Sequence, residues 1–450
     1  MLFDPLLSTP ELERALSDRA RVAGMLRFEA ALARAEASLG LIPVEAAEGI
    51  ARACDPAAYD LTQLGSRAAA AGNVAIPLVA ALTERVARDD ERAAEWVHYG
   101  ATSQDAIDTG FVLQLREALS AWRDDLNALQ TSLQTIAARE SRTPMVARTW
   151  LQHAVPTTFG RKAAGWLSAI DRCRRALAVA ESEACVLQFG GAAGTLAGLG
   201  EHGAAVAEAL GAELALAVPP ASWHSERDRL TALAGALGVV VGVTGKIARD
   251  VSLLAQSEVA EAAEPSEAAR GSSSTMPQKR NPIACSVALA AALRVPGLVA
   301  TMFAGLPQEH ERGLAGWQAE WETLPEILRV GGGALRAMRH TIAGLQLDRA
   351  RMGRQLSSDD AIYAEAMTFA LAERLGRIKA HRLVANALAQ AQATGTRLRD
   401  VLAADAVVRE ALGPAQLDAL FSPEAYVNAA EAVVHRVLAH CFPAHGREPA

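Results

Sequence analysis

The fold is decided by one stretch of sequence, residues 111–136, which reads FVLQLREALSAWRDDLNALQTSLQTI. Its large apolar side chains recur at steps of three or four residues, at Phe111, Leu115, Leu119, Trp122, Leu126, Leu129, Leu133 and Ile136. Such steps put all of these side chains on one face of an α-helix. A seam of this length indicates a long helix that packs lengthwise against others in a bundle.

The same periodicity continues on either side of this stretch. Residues 230–254 repeat the steps of three and four, and residues 321–345 predict a third long helix. Shorter helical runs, broken by glycine and proline, fill the two ends of the chain, and no stretch alternates as a strand would. We therefore predict an all-α fold with a small helical domain over residues 1–105, a long-helix bundle over 106–350 and a small helical domain over 351–450.

Composition restricts the class of protein. The 450 residues are 51% hydrophobic and 21% charged, which is enough apolar content for a large core. A net charge of −7 without basic clusters argues against nucleic-acid binding. Five scattered cysteines without a CxxC pair argue against disulfides and structural zinc, and favour a cytoplasmic protein. No signal peptide is visible, and the charge-free runs fall short of a membrane span.

A long polar loop is the most informative segment for function. It reads GSSSTMPQKRNP, residues 271–282, and we expect about 15 residues of loop here, longer than most connections. The preceding helix is predicted to end near Glu264, and the next to begin with Asn281 as its N-cap. Consecutive serines, Lys279 and a helix N-terminus all suit an anion. A solvated Ser/Gly linker is the alternative.

Two further segments combine polar groups with a possible helix start. HYGATSQDAIDTG, residues 98–110, contains a capping box from Thr102 to Asp105, and capping alone could explain it. His98 could likewise be structural. In RTWLQHAVPTTFG, residues 148–160, Thr149 and Gln152 are predicted to share one helical face.

Sequence motifs for other chemistries are lacking. The glycine-rich stretch at residues 188–200 has no P-loop lysine and no preceding strand, so close packing or a turn explains it better than phosphate binding. No HExxH and no GxSxG motif occurs. We predict chemistry without a metal or a nucleotide cofactor. The alanine-rich helices also leave wide apolar faces, which suggests that several chains pack together.

Taken together, the three polar segments resemble the signature regions of the fumarase/aspartase superfamily, in the family's order and at similar separations. This resemblance implies an all-helical homotetramer with a twenty-helix core and active sites built by three chains. Further stretches, EHERGLAGWQAEWETLP and LSSDDAIYAEAMT, are most similar to its muconate-lactonising cycloisomerase branch. Adenylosuccinate lyase and argininosuccinate lyase are near relatives.

The resemblance also implies roles for individual residues. Ser273 matches the loop serine that moves the Cα proton, although its neighbour Ser274 could be confused with it. Lys279 and Asn281 match positions that hold a substrate carboxylate and its developing charge. The remaining substrate-binding positions are Thr102, Ser103, Thr149, Gln152, His98 and Trp150, the last as an apolar wall.

One position departs from most of the superfamily. Fumarases and the two lyases have a histidine where this chain has Trp150, and that histidine serves proton transfer to the leaving group. A lactone carboxylate leaves as a stable anion and needs no general acid, so Trp150 favours a cycloisomerase that acts on a small tricarboxylate. A fumarate-releasing lyase and a non-catalytic scaffold are the alternatives. The presence of Ser273, Lys279 and Asn281 together argues against the scaffold.

Overall fold

The computed structural model describes residues 2–265, 276 and 279–442, and it has the all-α fold predicted from the sequence. Short helices come first: α1 Asp4–Leu7, α2 Pro10–Ala15, α3 Asp18–Ser38, α4 Val44–Ala53, α5 Leu61–Ala71, α6 Ala75–Ala87 and α7 Glu91–Ala94. The central helices are α8 Ser103–Arg139, α9 Phe159–Ala184, α10 Gly203–Leu214, α11 Asp228–Leu254, α12 Ile283–Ala304 and α13 Gly316–Ala343. The last are α14 Arg349–Ser358, α15 Ala364–Leu375, α16 Arg377–Thr394, α17 Leu398–Ala404, α18 Ala406–Ala411, α19 Pro414–Leu420 and α20 Glu424–Cys441.

Two small antiparallel sheets interrupt the helices. Strand β1, Pro144–Thr149, pairs with β2, Gln152–Thr158, and β3, Ala262–Ala263, pairs with β4, Gln346–Leu347. The first hairpin corrects our expectation that Thr149 and Gln152 share a helical face. The second shows that the helical run expected to end near Glu264 in fact ends at Leu254.

The apolar seams of the long helices are confirmed. Along α8 every seam residue from Leu115 to Ile136 is buried, and Phe111 is half-buried. The seam of α11 is buried throughout; its one polar member, Thr244, donates its hydroxyl to the Val240 carbonyl oxygen at 2.8 Å. By length and composition alone, α11 and α12 could each cross a membrane, but the core helix of a globular protein passes the same test. The seam of α11 is buried, and its one hydroxyl is bonded within the helix.

The chain forms two compact units, each discontinuous in sequence. Unit 1 comprises Met1–Asn127, Cys173–Lys246 and Ala284–Met338; unit 2 comprises Ala128–Arg172, Ile247–Ile283 and Arg339–Ala450. The two boundaries between the three domains expected from the sequence are not tested by this division and stay a prediction.

In unit 1, α3 and α8 cross with their backbones almost in contact. A Cβ on Gly24 would lie 2.4 Å from the carbonyl oxygen of Gly110, closer than any side chain allows. The two glycines therefore let α3 pack directly on the first third of α8, which fixes the helix start that follows Thr102.

Candidate active site

The start of α8 in unit 1 is closed by one half of the predicted capping box, the bond to the Asp105 carboxylate. Thr102 donates its backbone N–H to Oδ2 of Asp105 at 3.0 Å, and Asp105 returns its N–H to the Thr102 carbonyl at 2.9 Å. Ser103 is the first helical residue and is half-buried. A helix start with free N–H groups and hydroxyls attracts anions. The capping function is confirmed, and an anion site remains compatible with it.

Asp105 also holds a glycine loop against this helix start. Its buried carboxylate accepts the N–H groups of Gly190 at 3.0 Å and Gly191 at 2.9 Å. Nε2 of His224 lies 2.7 Å from Oδ1 of the same carboxylate. The glycine-rich stretch is therefore a tightly packed turn at the candidate site, and the sequence analysis had not connected it with Thr102.

A buried charge network lies one turn further along α8. Arg227 donates to Asp108 at 2.7 Å and to Glu320 at 2.6 Å, and all three side chains are buried. Burial raises the pKa of Glu320, although the Arg227 charge opposes the shift. Trp317 donates its indole N–H to Asp108 at 3.0 Å. These contacts make the first turns of α8 a rigid support.

Arg312 brings a cation to the same helix start. Its Nε donates to Oε1 of Gln104 at 2.9 Å, and Gln104 in turn donates to Asp108 at 3.1 Å. The Arg312 side chain is otherwise exposed. An exposed guanidinium bonded to Gln104 adds to the positive potential that a carboxylate would meet at this helix start. No periodic pattern in the sequence pointed to this residue.

An apolar cavity lies within one helical turn of Ser103. It measures about 480 Å³ and is lined by Ile107 of α8, Trp321 of α13 and parts of α3 and α5. This volume is within the range of small-molecule pockets. Unit 1 therefore combines an anion-attracting helix start with room for an apolar body.

His98 precedes this helix start and has an unusual backbone. Its φ of 59° places it in the left-handed region. Its Nδ1 lies 2.7 Å from Oε1 of Glu29, whose side chain is buried on α3. Burial lowers the pKa of His98, but the charges of Glu29 and Asp105 outweigh it and raise the pKa above its ordinary value.

The second group of predicted residues lies on the β1–β2 hairpin of unit 2. Thr149 and Gln152 face each other as the last pair of the ladder. Trp150 and Leu151 form the turn with φ values of 51° and 65°, and their side chains are 95% and 79% exposed. Arg148 anchors the strand through a two-pronged ion pair with buried Glu261, at 2.8 Å for each bond. The hairpin therefore presents a fixed tip.

The third group precedes α12. Lys279 is exposed and donates its backbone N–H to the Met276 carbonyl at 3.0 Å. Asn281 lies two residues before the first residue of α12, so the helix begins one residue later than predicted. Ser273 and Ser274 lie outside the described residues.

The predicted residues thus form three groups within the chain. Thr102, Ser103 and His98 meet at the start of α8, Thr149, Trp150 and Gln152 share the hairpin, and Lys279 and Asn281 precede α12. Their roles in binding and catalysis stay predictions. Among residues 2–265, 276 and 279–442, no group of three His, Cys, Asp or Glu side chains is arranged to hold a metal ion.

Comparison with known proteins bears on the whole chain. The family model described as Lyase matches residues 7–297, and the model described as adenylosuccinate lyase C-terminus matches residues 360–437. The chain is 49% identical over 438 residues, 97% of each protein, to a 3-carboxy-cis,cis-muconate cycloisomerase of Bradyrhizobium diazoefficiens. It is also 49% identical over 449 residues to the one from Pseudomonas aeruginosa, covering 100% of this chain and 98% of the relative.

A solved structure extends the similarity to three dimensions. The crystal structure of 3-carboxy-cis,cis-muconate lactonizing enzyme from Pseudomonas putida matches 98% of each chain with a TM-score of 0.92 and 46% identity. The fold prediction is confirmed by this match. The chain therefore belongs to the lyase family of the fumarase/aspartase superfamily, within the group of the 3-carboxy-cis,cis-muconate cycloisomerases.

Proposed function

We propose that the protein interconverts 3-carboxy-cis,cis-muconate and 4-carboxymuconolactone. The observation that carries this proposal is Trp150 at the hairpin tip, beside Thr149 and Gln152. A tryptophan cannot give a proton to a leaving group, and a departing carboxylate does not need one. Similarity over the whole chain to relatives named for this reaction supports the same reading.

The proposed reaction is an intramolecular addition. One carboxylate of the muconate attacks a carbon of its own diene, so the enzyme's main task is to orient a single molecule. Negative charge then accumulates as an enolate on a second carboxylate. In our proposal Lys279, Asn281 and the start of α12 stabilise that charge.

A proton must then reach the α-carbon of the enolate, beside the carboxylate that carries the charge. We assign this transfer to Ser273 or to its neighbour Ser274. The serine that acts gives the proton in lactonisation and removes it in the reverse direction. A serine hydroxyl is a poor base at its ordinary pKa, so the role requires a cationic site from which water is excluded. Lys279, six residues further on, would supply part of that positive charge.

The three carboxylates of the substrate explain why anion-binding groups come from distant segments. In our proposal Thr102 and Ser103 at the start of α8 bind one carboxylate, supported by Arg312 and by His98, whose pKa is raised. Thr149 and Gln152 would bind a further carboxylate, and Trp150 would be an apolar wall against the diene.

We further propose a homotetramer with active sites shared between chains, working in the cytoplasm in the breakdown of protocatechuate. Apolar surface supports the assembly: Leu293 and Phe303 of α12 are 82% and 54% exposed, and Trp150 at the hairpin tip is 95% exposed. Large side chains exposed in this way are typical of subunit contacts.

An ultraviolet assay tests the proposed reaction directly. Addition of 3-carboxy-cis,cis-muconate should give loss of the conjugated-diene absorbance, with the lactone as product. A parallel assay for fumarate release from adenylosuccinate and argininosuccinate should show no reaction. Fumarate release without diene consumption would replace the proposal with the lyase alternative.

A further inference from the structure

A partly buried ion pair joins His98 to Glu29 behind the start of α8, and the proposed function gives its carboxylate no role. Glu29 is buried on α3, and its Oε1 lies 2.7 Å from Nδ1 of His98, whose side chain is 16% exposed. His98 is held in the left-handed region at φ 59°, which is unfavourable for a residue other than glycine. The surrounding contacts must therefore hold the ring in this position.

The ion pair determines which ring nitrogen can meet a ligand. Because the Glu29 carboxylate only accepts hydrogen bonds, Nδ1 must be the nitrogen that donates to it. Nε2 has no hydrogen-bond partner among the residues that the structure describes. In the protonated ring Nε2 also carries a hydrogen, and that N–H can be donated to a bound carboxylate.

The charges around the ring favour this protonated form. The groups that face His98 are Glu29 from α3 and Asp105 from α8, and both are acidic. Burial opposes protonation, but these two carboxylates outweigh it, so the pKa of His98 is raised. Two other groups, Glu36 and Cys54, interact with Glu29.

We propose that Glu29 is a positioning residue, which keeps His98 oriented and protonated so that its Nε2–H binds one carboxylate of the substrate at the start of α8. This inference rests on the proposed function. It predicts that substrate affinity falls as pH rises through the pKa of His98. Without Glu29, only Asp105 would remain to oppose the effect of burial.

Replacement of Glu29 by glutamine tests the idea while side-chain size is preserved. At pH 8 the Glu29→Gln variant should have a KM about tenfold higher with kcat within about twofold, because the lost contact is made equally in ground state and transition state. At lower pH the difference should narrow, since protonation of the ring is then favoured in both proteins. A fall in kcat with unchanged KM would overturn the proposal.

A matched control is available on the same helix. Glu36 lies seven residues further along α3, is equally buried and does not contact His98. The Glu36→Gln variant should keep the KM and pH profile of the parent. Equal changes in the two variants would mean that both carboxylates act only on the packing of α3.

A double-mutant cycle separates positioning from general stability. If Glu29 acts through His98, the KM of Glu29→Gln/His98→Asn should equal that of His98→Asn alone. A further rise in KM of the same size as that seen in the parent background would show that Glu29 does not act through the ring.

Binding of tricarballylate, a tricarboxylate without a diene, gives a readout that does not depend on turnover. Its dissociation constant, measured by calorimetry, should rise with pH between pH 6 and 9. In the Glu29→Gln variant the midpoint of this rise should lie lower by about one pH unit or more. A moved midpoint supports the inference even if the diene assay fails. An unmoved midpoint in a protein that converts the diene would overturn the inference alone.

Discussion

Asp105 illustrates how one side chain can organise a site at the residue scale. Its carboxylate caps α8 through Thr102, holds the glycine loop through Gly190 and Gly191, and bonds to His224. Three of these partners, Thr102, Gly190 and Gly191, are backbone N–H donors, and the oxygens of a carboxylate can accept from all of them. An asparagine of the same size would turn a donor of its own toward one of them.

The Asp105→Asn variant should therefore lose about 3 kcal/mol of unfolding free energy, because it leaves buried donors unsatisfied. Urea unfolding at neutral pH measures the change. Asp124→Asn, at an exposed position on the same helix, is the control and should stay within about 0.5 kcal/mol of the parent. Equal stability of the two variants would contradict the bonding scheme.

Glu36 predicts a pH dependence of stability. Burial, together with the charge of Glu29, raises the pKa of Glu36 from 4.5 to about 8, and neither of its oxygens has a partner among the described residues. Between these two pH values the folded protein keeps a proton that the unfolded chain loses. The contribution of Glu36 to stability therefore falls as pH rises through this window, and it is most favourable at the acidic end.

Glu36→Gln should reduce this fall, so that the variant gains stability relative to the parent at pH 8 but not at pH 5. Melting temperatures at the two pH values measure the effect. Glu48→Gln, an exposed position on α4, should follow the parent at both. A parent whose stability is constant between pH 5 and 8 would show that Glu36 is ionised in the folded protein.

At the element scale, the β1–β2 hairpin combines strain with exposure. Both turn residues, Trp150 and Leu151, have positive φ, which two-residue hairpin turns require and which asparagine and glycine adopt most easily. Backbone strain of this kind is characteristic of functional sites. The turn is therefore less stable than an Asn–Gly turn would be, and it holds Trp150 exposed at its tip.

Replacement of Trp150 and Leu151 by Asn–Gly should leave the free energy of unfolding unchanged or raise it by up to about 1 kcal/mol. The value of kcat/KM should fall at least tenfold. Leu151→Gly alone should relieve strain and keep most activity. Thermal melts and the diene assay measure the two effects. A lower melting temperature of the double variant would mean that the tip stabilises the fold.

The elements differ in how well the sequence predicts them. The seams of α8 and α11 follow from spacing alone, because large apolar side chains at helical steps can be buried together only when the segment forms a helix. The hairpin was missed because Trp150–Leu151 lacks the glycine or asparagine that marks such turns. The bond between Asp105 and His224 joins residues 119 apart and has no local signature.

On the scale of the whole molecule, apolar surface on α12 and at the hairpin tip points outward from the single chain. Gln152 and Ser273 belong to different signature segments, which the proposed tetramer draws from different chains. Each working site then needs an unmutated copy of each of the two segments, and these copies come from different chains.

Mixed tetramers of Gln152→Ala and Ser273→Ala chains should regain activity although each variant alone is inactive. Random assortment leaves about a quarter of sites with both segments intact, since each comes from an unmutated chain half of the time. Co-expression followed by the diene assay measures the recovery, and kcat/KM per working site should equal the parent value. Inactive mixtures that demonstrably exchange subunits would mean that one chain builds each site alone.

The contact between Asp105 and His224 also has a consequence for the protein during its synthesis. At about 5–20 residues per second, a ribosome adds the 119 residues that separate them in roughly 6–24 seconds. Throughout that interval the beginning of α8 exists without the histidine, and the glycine loop, which follows Asp105 by 85 residues, becomes available only late in it. The bonds that secure the start of α8 are therefore complete only when about half of the 450 residues have been translated, so this region cannot reach its final structure before then.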